Sequence, residues 1–155
     1  MPPSSWAIRV AHVAVRPSRI VARVRVGEER FAVSTPRLIE ALLPRFPHLL
    51  EHACVNGAGD RFGCVAAATS TPHVLEHLVI EEQVRLEAAS GASSAAVYVG
   101  KTSWEDRRRL VARVEVSYAD DLAALRALST AAARLNEALL TTATVAGTEP
   151  GALRR

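Results

Sequence analysis

Lysine is almost missing from this 155-residue chain: Lys101 stands alone beside 18 arginines. The arginines are dispersed from Arg9 to Arg155, and the longest contiguous run is Arg107, Arg108 and Arg109. No basic stripe forms, so a net charge of +3 does not indicate a nucleic-acid partner. Long apolar runs are missing too. Residues 1–5 carry no lysine or arginine, and Arg9, Arg16, Arg19, Arg23 and Arg25 interrupt the apolar positions that follow. Neither a signal peptide nor a membrane span can be drawn, and the expected compartment is the cytoplasm. Cysteine is scarce: Cys54 and Cys64 read as thiols in a reducing compartment, with a metal-ligand role open. What remains is 49% apolar and 23% charged, a composition and length suited to one domain with its own core.

The N-terminal third has a period of two. Ile8 and Val10, then Val13 and Val15, precede a Pro17-Ser18 turn, after which Ile20, Ala22, Val24 and Val26 alternate with arginines. A further turn at Gly27-Glu28 and a short strand over residues 30–33 would complete a three-stranded meander. Thr35-Pro36 opens a short helix that Pro44 stops, and residues 48–52 have room for about one more turn. Residues 53–70, rich in Gly and Ala, read mainly as loop, with one short strand near Cys64 and Val65. Thr71-Pro72 starts a second helix that runs without Gly or Pro to Ser90-Gly91. Residues 95–99 are a strand candidate, residues 100–106 a turn, and residues 110–118 a strand with Leu110, Ala112, Val114, Val116 and Tyr118 on one face. Asp120-Asp121 opens an Ala-rich helix with a seam of Leu122, Leu125, Leu128, Ala132, Leu135 and Leu139. This order predicts an α+β two-layer sandwich, a mainly antiparallel sheet with helices on one face, over residues 1–140, followed by a flexible tail at 141–155.

Histidine is the scarce residue that clusters. Four of the five fall in two pentads, His48-Leu49-Leu50-Glu51-His52 and His73-Val74-Leu75-Glu76-His77, each preceded by proline. On a helix, positions four apart lie one above the other, so His73 and His77 can face one ion, flanked by Glu76 as general base. The spacing is the inverted zinc-hydrolase signature His-x-x-Glu-His. Context separates the copies, because 73–77 begins an uninterrupted helix whereas 48–52 follows Pro44 and Pro47. The plain alternative is a set of solvated histidines, and it fits His12 and His48 best. Catalytic zinc takes three protein ligands and an open position, and the residues leave the third among Cys54, His52, Glu81 and Cys64. Glu81 continues the face of His77, while Cys54 comes from a separate segment.

These residues resemble the N-terminal domain of cyanophycin synthetase. The likeness runs through Leu49-Leu50-Glu51-His52-Ala53-Cys54, His73 to Gln83, Gly100-Lys101-Thr102 and the strand ending in Tyr118. It implies a domain that binds an arginine-decorated polyaspartate polymer and, in some members, trims it at a zinc site. It would make His73 and His77 metal ligands, Glu76 the general base, Cys54 a third ligand, and Glu81 a ligand or the partner that holds a histidine tautomer. The chain departs from the family at the glycine-rich segment after Cys54, here Gly57, Gly59 and Gly63, and at Ser103-Trp104. The length leaves no room for ATP-dependent ligase domains. Gly100-Lys101-Thr102 lacks the preceding glycine of a phosphate-binding loop.

The leading expectation is therefore a stand-alone zinc-dependent hydrolase of peptide or isopeptide bonds, with His52 or Glu81 supporting the site and Lys101 or an arginine orienting a substrate carboxylate. Its rivals are a non-catalytic module that holds an arginine-rich or acidic polypeptide and an interaction protein with a structural metal.

Overall fold

The computed structural model describes residues 5–91 and 97–146, of which 144–146 by backbone alone. Two strands open the chain, β1 (Ile8–Val15) and β2 (Arg19–Val26), paired antiparallel across the Pro17-Ser18 turn. Their alternation slips by one residue between Val10 and Val13, and the pairing slips with it: Val10 faces Val24 and His12 faces Arg23, so Ala11 is the extra residue of a bulge. The bulge keeps Val13 and Val15 opposite Ala22 and Ile20, on the side of β2 that is buried.

The expected third strand of the meander does not form. Residues Glu29–Phe31 make a 3-10 turn that drives Phe31 into the core, and only Val33 bridges, to Ser70. Thr71 holds this segment instead, its backbone N–H donating to Ala32 O and its hydroxyl to Phe31 O. Helix α1 (Pro36–Leu42) begins where predicted, with Thr35 Oγ1 accepting from the Leu38 N–H at 3.2 Å.

Residues read as loop contain a small hairpin, β3 (Ala53–Asn56) and β4 (Gly59–Arg61), and the expected strand near Cys64 is a 3-10 turn, Phe62–Cys64. Asn56 closes the hairpin: its amide donates to Cys54 O and Arg61 O, and its Oδ1 accepts from the Ala58 N–H. Helix α2 (Thr71–Ala89) is capped by Ser70, whose Oγ accepts from the His73 N–H. It is buried nearly all round, because Leu75, Leu78 and Val79 join the core while Glu76, His77, Glu81, Glu82 and Gln83 are also covered.

Residues 100–106 are not a turn but an edge strand, β5 (Gly100–Asp106), paired antiparallel with β6 (Val111–Ser117). The strand expected at residues 95–99 falls partly outside the described residues; 97–99 lead into β5 without strand structure. Helix α3 (Asp121–Ala146) continues past Thr141, where the tail was expected to begin; residues 147–155 of that tail lie outside the described residues. Its buried seam is also rotated, with Ala124, Ala127 and Ala131 alongside Leu128, Leu135 and Leu139, while Leu122 is exposed. Asn136 Oδ1 pins the start of β1 by accepting from the Ala7 and Ile8 N–H groups.

The result is an α+β two-layer fold. The sheet order is β1-β2-β6-β5, antiparallel throughout, with α3 over β1 and β2 and α2 over β5 and β6. No helix among the described residues is long and apolar enough to cross a membrane.

Candidate metal centre

Helix α2 presents its first two turns to a cleft of about 950 Å³ walled by the β3–β4 hairpin on one side and the start of β5 on the other. The hairpin brings Cys54 over the helix. Its Sγ lies 3.5 Å from His73 Nε2, and His73 Nε2 lies 3.2 Å from His77 Nε2. Among the described residues these three are the one group of His, Cys, Asp or Glu that gathers as a metal-ligand set, with all ligand atoms within 4.8 Å of one another.

The separations can be compared with an ion. Two nitrogens bound tetrahedrally at about 2.05 Å would lie about 3.3 Å apart, and a sulfur at about 2.3 Å would lie about 3.6 Å from either nitrogen. The observed 3.2 Å between the two nitrogens and 3.5 Å from Sγ to His73 Nε2 match these spacings, and Cys54 Sγ lies within 4.8 Å of the His77 ligand nitrogen. The chemistry of the set, one thiol and two imidazoles, also suits zinc.

Burial sets the protonation of these groups. His77 is 2% exposed, and desolvation, reinforced by the neighbouring imidazoles of His73 and His52, pushes its pKa down to about 3. Burial lowers His73 as well. Both rings are thus neutral near pH 7, the form that ligates a metal. Phe62 walls the pair, its ring centroid 4.2 Å from that of His77 and edge-on to His73 at 5.1 Å.

Glu76 lies beside the pair, with Oε1 at 3.8 Å from His77 Nε2 and Oε2 accepting from the Thr102 hydroxyl at 2.6 Å. Burial raises its pKa, and the Thr102 hydrogen bond works against that rise. Gly100 leaves room for the carboxylate: a Cβ there would fall 2.5 Å from Glu76 Cγ and 2.6 Å from Cδ. Only a residue without a side chain fits.

The remaining candidates separate. His52 meets His77 through Nδ1 at 3.2 Å and Glu81 Oε1 through Nε2 at 3.1 Å, so both its nitrogens are engaged outside the ligand set. Glu81 is 7% exposed, and its Oε1 also accepts from the His48 N–H. The side chain of His48 is 73% exposed beside Glu51, and His12 is exposed on β1. Cys64 is exposed and outside the ligand set. Lys101 lines the cleft and faces Glu115 across the β5–β6 ladder. Sequence reasoning missed Thr69, Phe62 and the roles of Gly100 and Thr102. Gly100-Lys101-Thr102 stands out in the sequence as a short motif, but only pairing with β6 shows that it is a strand against Glu76.

With this geometry in hand, comparison with known proteins places the chain. Residues 19–141 match the cyanophycin synthase-like N-terminal domain, and the protein belongs to that family. No curated protein and no solved structure matches.

Proposed function

We propose that this domain is a zinc-dependent hydrolase of peptide or isopeptide bonds in a polypeptide that carries cationic side chains. The observation that carries the reading is the meeting of Cys54 Sγ, His73 Nε2 and His77 Nε2 beside the buried carboxylate of Glu76, on the floor of an open cleft. Bound there, zinc would supply a Lewis acid that activates water and polarises a carbonyl. Three protein ligands leave a coordination position for that chemistry.

The protein's own residues do the rest. Glu76 takes the proton of the attacking water and delivers it to the leaving nitrogen, and burial that favours its protonated form suits the second half of that cycle. Thr102 fixes the carboxylate's rotation. Phe62 and the packed face of α2 keep bulk water from behind the histidines.

Substrate chemistry follows from the walls. Among the described residues no arginine lines this cleft or the neighbouring one of about 400 Å³ that shares Ala53, His77, Ile80, Val97 and Tyr98. Asp60 and Glu76 line the first, Glu51 and Glu81 the second, and Lys101 is the one lysine. Such a surface attracts cationic side chains, as an arginine-bearing polymer of the cyanophycin kind presents, and not a nucleic acid. Exposed Val55, Val97 and Val99 add apolar contact at the rim. Lys101 is placed to meet a substrate carboxylate.

The test combines metal content with cleavage. Purified protein is expected to carry one zinc per chain and to release fragments from arginine-bearing aspartyl polypeptides. Glu76→Gln should retain the zinc and lose a factor of roughly 10² to 10⁴ in kcat. Polymer binding without cleavage in the zinc-loaded wild type would instead establish a binding module.

A further inference from the structure

We propose that Glu81 and His52 form a buried relay that fixes the tautomer and aim of His77, which makes both of them positioning residues of the metal centre and not ligands. The proposal rests on the metal-site reading above and extends it to the residues behind the ligand set. His77 has two ring nitrogens, and each has one neighbour of interest. Nε2 points into the ligand set, 3.2 Å from His73 Nε2, and Nδ1 lies 3.2 Å from His52 Nδ1. A lone pair on Nε2 for the metal requires the proton of neutral His77 to sit on Nδ1. His52 Nδ1 must then accept it, so the proton of His52 sits on Nε2, 3.1 Å from Glu81 Oε1. Every link holds one proton, and the chain ends on a carboxylate. No other assignment of two neutral rings both presents Nε2 of His77 to a metal and donates to Glu81.

The carboxylate itself supplies a second argument. Glu81 Oε2 is buried and has no hydrogen-bond partner among the described residues, while Oε1 already accepts from the His48 backbone and faces His52. A buried, half-satisfied carboxylate is costly on its own. A divalent cation at the far end of a two-imidazole relay offsets that charge, and the carboxylate in turn, acting through His52, makes His77 a more basic ligand. His73 is held by a weaker partner, the Thr69 hydroxyl, at 2.9 Å from its Nδ1. The two histidine ligands are thus unequally supported, with the charged support on His77.

The relay is tested on the full chain by chelator competition for zinc and by nitrogen-15 NMR of the metal-free protein. Glu81→Gln keeps the shape and removes the charge, and it should weaken zinc binding roughly 10- to 100-fold. His52→Leu should do the same, the double variant should add little to the larger single effect, and Thr69→Ala should cost less than either. The NMR spectrum should show His77 protonated on Nδ1. Zinc affinities of Glu81→Gln and His52→Leu within about twofold of wild type, or His77 found protonated on Nε2, would overturn the relay. Should His52→Leu fail to fold, Glu81→Gln and the wild-type spectrum still decide. A wild type that takes up no zinc would defeat the hydrolase reading, and the tautomer measurement would then judge the relay by itself.

Discussion

Two pentads of one pattern, His48 to His52 and His73 to His77, meet opposite fates in the same molecule. In the second, the capping Ser70 and the absence of Gly or Pro after Pro72 let α2 run for 19 residues, so the two imidazoles lie one turn apart with their Nε2 atoms 3.2 Å from each other. In the first, Pro44 and Pro47 confine the chain to the 3-10 turn Leu49–Glu51, and the two histidines part: His48 turns to solvent and His52 turns inward to His77. A His-x-x-Glu-His string therefore brings its two imidazoles together only where a helix carries it. The first copy still meets the second, because His52 Nδ1 lies 3.2 Å from His77 Nδ1.

The contrast can be broken first at the ligands. His77→Ala should abolish stoichiometric zinc, with at least a hundredfold loss of affinity by chelator competition, whereas His48→Ala should leave both zinc content and thermal unfolding unchanged. Equal losses from the two would erase the distinction between the copies.

Acid should separate them next. In metal-free protein the pKa of His77 is about 3, against about 6.5 in the unfolded chain. Between these values the unfolded chain binds more protons, so stability is lost as pH falls from 6.5 towards 3, at up to about 1.4 kcal/mol per pH unit. Glu76 has the opposite sign, since its raised pKa makes the folded state hold a proton that the unfolded chain releases above about 4.5. Urea midpoints measured in chelator between pH 7 and 5 should fall in wild type and flatten in His77→Leu. A slope unchanged by His77→Leu would remove His77 as the titrating group.

Crowding the base is the third intervention. Gly100→Ala pushes a methyl group into Glu76 and should cost about 1–3 kcal/mol in chemical denaturation, with cleavage falling further than zinc content. The smallest expected effect is that of Thr102→Val, which removes one hydrogen bond to a buried carboxylate. It should cost about 1 kcal/mol and move the acidic limb of the cleavage profile to higher pH, because the bond that holds the Glu76 pKa down is gone.

Much of the frame was readable in advance because local rules dominate there. Alternation marked β1, β2 and β6, while the bulge between Val10 and His12 shows only in the pairing with β2. Cap and proline signals marked the starts of α1 and α2. The errors fall where partners decide. Gly-Lys-Thr-Ser-Trp-Glu-Asp has too little apolar alternation to read as a strand, and it becomes β5 only by pairing with β6. Residues 30–33 have strand-like composition, but Phe31 gains more from the core than from a third ladder. The expected α3 seam runs through Leu122, which stays exposed, whereas the buried face passes through Ala124, Ala127 and Ala131 beside Leu128, Leu135 and Leu139.

The sequence by itself determined that His73, Glu76 and His77 share one helical face, since spacing and capping are properties of a single segment. Only the tertiary structure decided that the hairpin sets Cys54 above them, that Gly100 and Thr102 shape the seat of Glu76, and that His52 and Glu81 stand behind His77. Those residues lie 19 to 26 positions from their partners, or in the Glu81 case behind another side chain, so no periodicity along the chain records their meeting. Packing of three separate segments on one buried helix does.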